Sequence, residues 1–349
     1  MLMRAEDELL VCCARRSLDA KTQARISQLI QEPLDWPTVL SGGWWHRMRP
    51  LLHRHLSSQP VGRIPDEFLE ELANHATELA VRNLRLSSAL ENIVAMFEDR
   101  QLRMCVFKGP TLSEDAYGDL SLRECGDLDL LVHPDDILDV KNMLIAYGFT
   151  SAWDQAEHRR QAFACEFRRQ DVELDVHWGL APGWFNYRID FDRLWASGMG
   201  LSSDTTLARK LCPEDTIVVL CIHGTKHWWG RLKWICDIAE LINSNPEMDW
   251  NRMYSSADTA NARRAVDLGL RLASDLLSAK LPESMRQDLN RCQMTQRLAS
   301  QVVTWLAHGE RAAEQRHLRE RFLFRLRLCE RVRDRLPQLL HYLWAAPRG

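Results

Sequence analysis

The chain has 349 residues, 46% of them hydrophobic and 27% charged, with a formal net charge of −3. That length accommodates two or three domains of ordinary soluble composition. The near-neutral balance gives no bulk electrostatic reason to expect a nucleic-acid partner, and favours a small-molecule, peptide or protein partner.

The N-terminal MLMRAEDELLVCC meets charge by residue 4, so a secretory leader is not expected. The longest apolar run, near 217–222, is far too short to span a bilayer. Ten cysteines show no CxxC pair and no regular spacing, the pattern of reduced, mostly buried thiols, and a cytoplasmic location is the expectation. The adjacent Cys12 and Cys13 read as helix packing rather than a metal or redox pair.

Residues 1–100 read as all helical. Pro33, Pro37 and the Gly42-Gly43 pair break the pattern early, and SSQPVGRIP (57–65) breaks it again. Between the breaks, Trp44, Trp45, Leu51, Leu52 and Leu56 predict a packed helical segment. From Pro65 to Arg100 the apolar positions Phe68, Leu69, Leu72, Leu79, Ala80 and Leu84 recur at helical spacing, predicting one long helix. It leads straight into a strand at 103–107.

That strand, in RMCVFKGP (103–110), ends in Lys108-Gly109-Pro110, and TLSEDAYGDL then reads as helical with Leu112 and Ala116 on one face. A strand, a glycine turn and a helix N-terminus form an anion site, because free backbone N–H groups and the helix dipole face the ligand. Lys108 adds a formal charge there. Pro110 has neither N–H nor hydroxyl to offer, which leaves Lys108, Gly109, Thr111 and Ser113 for the contact. Arg123 stands four residues before Asp127, placed to reach a phosphate or to pin the loop.

Residues 126–132 read GDLDLLV. On a strand Asp127 and Asp129 leave one face, while Leu128 and Leu130 point the other way into a core. Two carboxylates so close repel unless a cation lies between them. Hard divalent ions such as Mg²⁺, or Mn²⁺, take oxygen ligands and share them with phosphates. His133-Pro134-Asp135-Asp136 then opens a helix that runs to Tyr147 and stops at Gly148. AFACEFRR (162–169) and DVELDVHW (171–178) both alternate about Gln170 and Asp171, predicting an antiparallel hairpin. On its second strand Glu173, Asp175 and His177 share a face, and Glu173 or Asp175 offers a third carboxylate. The pattern points to metal-dependent chemistry on a phosphate, carried by a mixed sheet of about four to five strands.

A loop-rich passage follows Ala181-Pro182-Gly183 and extends to about Thr206, with the composition of a surface connection. Pro213-Glu214-Asp215 starts a helix, and all beyond reads as helical, with breaks at Asn243–Pro246 and near Pro282. In HGTKHWWGRLKWICD (223–237), His223 and His227 have the i, i+4 spacing of a helical zinc pair, without an HExxH motif or third ligand. Leu232, Ile235, Cys236 and Ala239 form a core stripe, and Lys233 and Asp237 lie on a neighbouring stripe at salt-bridge spacing. The arginine-dense stretch Arg311–Arg335, with Phe322, Leu323, Leu326, Val332 and Leu336, reads as a solvated amphipathic helix rather than a surface for a membrane or an acidic partner. The fold class is therefore α+β. A small mixed-sheet core over 101–182 is flanked by helical regions at 1–100 and 183–349.

Several of these motifs occur together. Lys108-Gly109, Tyr117-Gly118-Asp119 with Arg123, residues 126–132, Asp175-Val176-His177-Trp178 and the stretch 223–237 resemble a bacterial group of uncharacterised nucleotidyltransferases. That group lies in the DNA polymerase β-like nucleotidyltransferase superfamily, and the resemblance spans residues 105–240. It implies transfer of a nucleoside monophosphate from a nucleoside triphosphate to a small-molecule, peptide or protein acceptor, with Mg²⁺ or Mn²⁺ and release of pyrophosphate. Asp127, Asp129 and Asp175 are then the metal ligands and catalytic acids, because the resemblance aligns the acid two residues before His-Trp, and Glu173 becomes a surface or outer group. Lys108, Gly109, Thr111, Ser113 and Arg123 are implied nucleotide contacts, and His177 holds a carboxylate, touches the nucleotide, or is a structural histidine bonded to backbone. Lys226, His227, Lys233 and Asp237, on a helical part closing over the nucleotide, contact phosphates or acceptor. The wider superfamily has Gly-Ser or Gly-Gly where this chain has Gly109-Pro110. Phosphoryl or pyrophosphoryl transfer, a non-catalytic nucleotide-binding module and a toxin–antitoxin component are the alternatives.

Overall fold

In the computed structural model, which describes residues 3–151, 163–201, 205–307 and 318–345, five helices precede the first strand. They are α1 (Ala5–Cys13), α2 (Ala20–Leu29), α3 (Trp36–His46), α4 (Arg49–Leu56) and α5 (Asp66–Asp99). Asp19 and Asp35 cap α2 and α3 by accepting from the backbone N–H groups of Thr22 and Thr38. The Gly42-Gly43 pair does not break the helical pattern, as expected from sequence, but lies inside α3. A Cβ at Gly42 would stand 2.6 Å from Leu10 Cδ1, and one at Gly43 2.7 Å from Leu52 Cδ1. The pair is a packing device that lets α1 and α4 approach. Along α5 the expected apolar positions Phe68, Leu72 and Leu79 are buried, but Leu84 is exposed. Asn83 turns inward instead, and its amide donates to the carbonyls of Leu120 and Arg123 at 2.5 and 2.9 Å.

The sheet is built from β1 (Met104–Val106), β2 (Leu128–Val132), β3 (Ala164–Arg169), β4 (Val172–His177), β5 (Met199–Gly200) and β6 (Ala208–Lys210), in the order β3-β4-β2-β1-β6-β5. It is mixed: β2–β4 and β1–β6 pair in parallel, the other neighbours antiparallel. A four-residue α6 (Gly109–Leu112), continued by a π-helical turn at Ser113–Tyr117, follows β1, and α7 (Ile137–Ala146) follows β2. The passage expected to be loop-rich up to Thr206 contains α8 (Phe191–Ser197), capped by Asp190, and then β5. Through β6 it completes the second edge of β1. The Glu98 carboxylate accepts from the N–H groups of Thr206 and Leu207 and fixes that approach.

The two sheet faces have different covers. Met104, Val106, Leu128, Leu130, Val132, Leu174 and Val176 meet Leu86, Ile93 and Phe97 of α5 and Val140 and Leu144 of α7 in one core. This is the destination expected for Leu128 and Leu130. The opposite face sends Cys105, Phe107 and Leu131 into a larger core and leaves Asp129, Asp175 and His177 to line a cavity.

The chain continues as α9 (Pro213–Lys226), α10 (Leu232–Ser244), α11 (Trp250–Thr259), α12 (Arg263–Leu277), α13 (Glu283–Arg291), α14 (Gln293–Ala307), α15 (Leu318–Leu328) and α16 (Arg335–Ala345). Leu9, Leu10, Leu51 and Leu52 share the larger core with Leu232, Ile235, Leu268 and Leu272, so the two helical flanks of the sheet are joined. The arginine-dense stretch is not one helix. Residues 311–317 lie outside the described residues, and α15 is separated from α16 by a 3-10 turn at Val332–Asp334. Phe322, Phe324 and Leu328 are buried, but Val332 and Leu336 are exposed because the break rotates them off that stripe. Among the described residues no helix is long and apolar enough to cross a membrane.

Candidate active site

Parallel pairing of β2 with β4 sets Asp129 beside Asp175 and Leu131 beside His177. Antiparallel pairing of β3 with β4 sets Glu166 on the other side of Asp175. Directly paired residues share a sheet face, so three carboxylates lie in a row across three strands. Asp129, Asp175 and His177 each present a ligand atom, all within 4.8 Å of one another. His177 Nε2 is 3.1 Å from Asp129 Oδ1, and Phe107 meets the imidazole edge-on. Lys108 Nζ donates to the same Asp129 oxygen at 2.9 Å and lies 3.1 Å from His223 Nδ1. Asp127 falls one residue before β2 and lines the same cavity, outside the 4.8 Å cluster.

The row is electrostatically uneven. Burial opposes the charge on Asp129, but Lys108 and His177 outweigh it and hold its carboxyl well below the usual carboxylate range. Among the described residues no lysine or arginine donates to Asp175, and Lys108 acts on it only at longer range. Desolvation, then the negative charges of Asp129, Asp127 and Glu166, push its carboxyl up to about 7. Surplus negative charge with two oxygen donors and one imidazole suits a divalent cation, with imidazole inclining the set toward Mn²⁺-like ions more than an all-oxygen set would.

The cavity holds about 650 Å³, and beside the carboxylates its lining has a cationic stretch. It comes from the end of α9 and the start of α10, with Lys226, Arg231 and Lys233 beside Trp234, while burial pushes the His227 imidazole down to about 3 and keeps it neutral. The connection is backbone-strained: Trp228 and Trp229 both have positive φ, 60° and 52°, which is unfavourable for bulky residues. Trp229 is fully buried and holds the turn, its ring pressed where Cβ atoms on Gly224 and Gly269 would otherwise be. Lys226 Nζ sits 4.7 Å over the Phe163 ring, and desolvation followed by repulsion from Lys108 brings its amine down to about 8. Lys233 also falls to about 8, through desolvation and then Arg123, and donates to the Glu124 carbonyl at 2.6 Å. The Glu124 carboxylate in turn pairs with Arg47, Arg49 and His75, which brings the N-terminal helices to the rim beside Trp45.

Of the residues picked from sequence, Lys108, Asp127, Asp129, Asp175, His177, Lys226, His227 and Lys233 line this one cavity. Arg123 and Asp237 border it but are engaged with each other. Arg123 Nε and Nη2 donate to the two Asp237 oxygens at 2.8 and 3.0 Å, and Nη1 donates to the Gly109 carbonyl. Tyr117 OH donates to the same Asp237 at 2.8 Å. Arg123 therefore pins the loop, and the expected Lys233–Asp237 helix pair gives way to this bridge. Ser113 is fully buried with its hydroxyl directed to Gly109 O, and Thr111 borders a separate small pocket. With α6 only four residues long, Lys108 rather than a helix N-terminus supplies the charge of this turn. Glu173 is half exposed and pairs with Arg168, as expected of a surface group. The His223 and His227 rings are 4.6 Å apart, and neither belongs to a three-ligand cluster among the described residues.

Sequence reasoning missed Glu166, Arg231 and Trp234, and did not pair His223 with Lys108. Glu166 had a signal. A two-residue turn at Gln170-Asp171 pairs Arg169 with Val172, and counting outward reaches Glu166 opposite Asp175.

Residues 32–278 match the model of a family described as uncharacterised nucleotidyltransferase. No curated protein matches the chain.

Proposed function

The chain belongs to this uncharacterised nucleotidyltransferase family, and from that premise we propose that it is a metal-dependent enzyme. It moves a nucleoside monophosphate from a nucleoside triphosphate to a small-molecule, peptide or protein acceptor and releases pyrophosphate. One observation carries the reading: an Asp129–Asp175–His177 cluster and the cations Lys226, Arg231 and Lys233 line one cavity large enough for a nucleotide.

Asp129, Asp175 and His177 would hold the divalent ion, with Asp127 beside them. When bound, Mg²⁺ or Mn²⁺ supplies charge neutralisation for the phosphates and activation of the attacking oxygen. Lys226, Arg231 and Lys233, in the lining of the same cavity, orient the triphosphate and stabilise charge that develops on the departing pyrophosphate. Asp175, beside the ion it would help to hold, is placed to orient an acceptor hydroxyl for attack. Trp234 and Trp45 offer ring faces in the same cavity for the base or the acceptor.

The test is incubation of the protein with each of the four labelled ribonucleoside triphosphates and a metabolite-plus-protein extract, in Mg²⁺ or Mn²⁺. Mass spectrometry should find an acceptor heavier by one nucleoside monophosphate, with stoichiometric pyrophosphate, and Asp175→Asn should lose both. Nucleoside diphosphate as the leaving product would move the reading to phosphoryl transfer. No modified acceptor and no nucleotide turnover under any condition would sink it.

A further inference from the structure

Lys108 would be expected to extend from its turn toward phosphate. Instead its ammonium is engaged within the carboxylate row. Nζ lies 2.9 Å from Asp129 Oδ1 and 3.1 Å from His223 Nδ1, on a side chain only 9% exposed. The same oxygen also faces His177 Nε2 at 3.1 Å. Asp129 Oδ1 thus has two protein neighbours at hydrogen-bond distance, one of them a lysine ammonium, while among the described residues no cation is paired with Asp175 next to it. The backbone under Lys108 is fixed. Gly109 is left-handed, φ 64°, and sits close to the Asp127 carbonyl and the Leu128 side chain. The movable part is the four-carbon stem of Lys108, whose ammonium is a compact charge that can exchange one anionic partner for another.

We propose that Lys108 is the built-in counter-ion of the cation site: a divalent cation takes Asp129 by displacing the Lys108 ammonium, which then moves onto the nucleotide phosphates in the same cavity. This inference rests on the metal-dependent reading above and adds to it a coupling. Cation and lysine compete for one carboxylate oxygen, so a charge-removing substitution at Lys108 strengthens cation binding in the nucleotide-free protein. A triphosphate gives the expelled ammonium a new partner, so nucleotide tightens cation binding and, by linkage, cation tightens nucleotide binding. A lysine that merely propped Asp129 in place would behave oppositely, since its removal would misplace a ligand and weaken the cation.

The experiment is titration of the full chain with Mn²⁺, following free ion by electron paramagnetic resonance, with and without a non-hydrolysable nucleoside triphosphate analogue. Without nucleotide, Lys108→Met should bind Mn²⁺ roughly tenfold more tightly than the unaltered protein, the scale of one charged hydrogen bond no longer competing. The analogue should tighten Mn²⁺ binding in the unaltered protein and do so much less in the variant. Lys108→Gln, which keeps an N–H donor for Asp129 but no charge, should shift in the same direction and guards against a Met variant that fails to fold. Equal or weaker Mn²⁺ binding in both folded variants overturns the counter-ion role and leaves the metal-dependent reading standing. Absence of Mn²⁺ binding in all proteins, with and without the analogue, removes that reading as well.

Discussion

Asp129 and Asp175 are register partners on adjacent parallel strands, yet their carboxyls are driven to opposite sides of the ordinary range. The difference lies in what each one faces. Lys108 and His177 favour the charge of Asp129, and three neighbouring acids oppose that of Asp175. The stabilities of their amide variants should therefore diverge, although both should lose transfer. Asp175→Asn removes a repelled charge, so its melting temperature should hold or rise. Asp129→Asn leaves Lys108 buried without a counter-charge and should cost about 3–5 kcal/mol, the range for breaking one side of a buried pair. Thermal unfolding near neutral pH without added metal reads both. A drop in Asp175→Asn as large as that in Asp129→Asn would refute this division of charge.

Lys226 and Lys233 supply a pH dependence. Both amines are brought to about 8 from 10.5, by desolvation first and then by Lys108 and Arg123 respectively. A lysine whose folded value lies below its unfolded one releases its proton sooner in the folded state. Stability therefore rises with pH between about 8 and 10.5, and the cost of burying the charge is fully present below 8. Phosphate capture runs the other way, because the charged form that binds is lost above 8. Affinity for a triphosphate analogue should fall as pH passes 8, and Lys226→Arg should shallow that fall, since arginine keeps its proton. Equilibrium binding between about pH 7 and 9.5 checks it. A flat profile across that window would count against these lysines as phosphate ligands.

The Arg123–Asp237 bridge is structural in this arrangement. It joins the loop before β2 to α10, with side chains 3% and 1% exposed. Asp237→Asn should destabilise the protein by about 3–5 kcal/mol in urea unfolding, and the double substitution Arg123→Met with Asp237→Leu should recover much of the loss. The double variant should still bind nucleotide. Loss of binding in a folded double variant would assign Arg123 to the phosphates instead.

The strained turn at Trp228-Trp229 depends on two glycines. A methyl group on Gly224 would meet the Trp229 ring at 2.6–2.8 Å, and one on Gly269 would collide with Cys221 as well as that ring. Gly224→Ala should cost about 1–3 kcal/mol through overpacking and should weaken nucleotide binding by shifting Lys226 and His227. Gly183→Ala, where no heavy atom lies within 4 Å, is the control and should stay within about 0.5 kcal/mol. Equal behaviour of the two variants would show that Trp229 is not what holds the turn.

Parts of the molecule with a local period were readable from residues alone. Alternation located β2 and β4 and put Leu128 and Leu130 in the core. Helical spacing located α5, and Pro213 marked the start of α9. Elements without a period were not readable. β5 and β6 have two and three residues, too few to alternate, and β6 exists because Met104 pairs with Ala208 across the fold. Gly42-Gly43 carries the composition of a break, and only the nearness of Leu10 and Leu52 makes it a contact. Within the site, spacing marked Asp127 and Asp129 and left Glu173 or Asp175 as the third acid, a choice the resemblance made, while Glu166 and the partners of Lys108, Arg123 and Lys233 went unmarked. Those choices depend on which helix covers the sheet. Nothing in two consecutive tryptophans announces left-handed backbone.

The shared core of the two helical flanks bears on how the chain is made. Leu9, Leu10, Leu51 and Leu52 complete their core with Leu232, Ile235, Leu268 and Leu272 of α10 and α12, which leave the ribosome on the order of ten seconds or more later at ordinary translation rates. Through that interval the first helices pack on one another, while the face that meets α10 and α12 stays open. Lys226, Arg231 and Lys233 emerge just as late, so the cavity is complete only once they have joined the sheet.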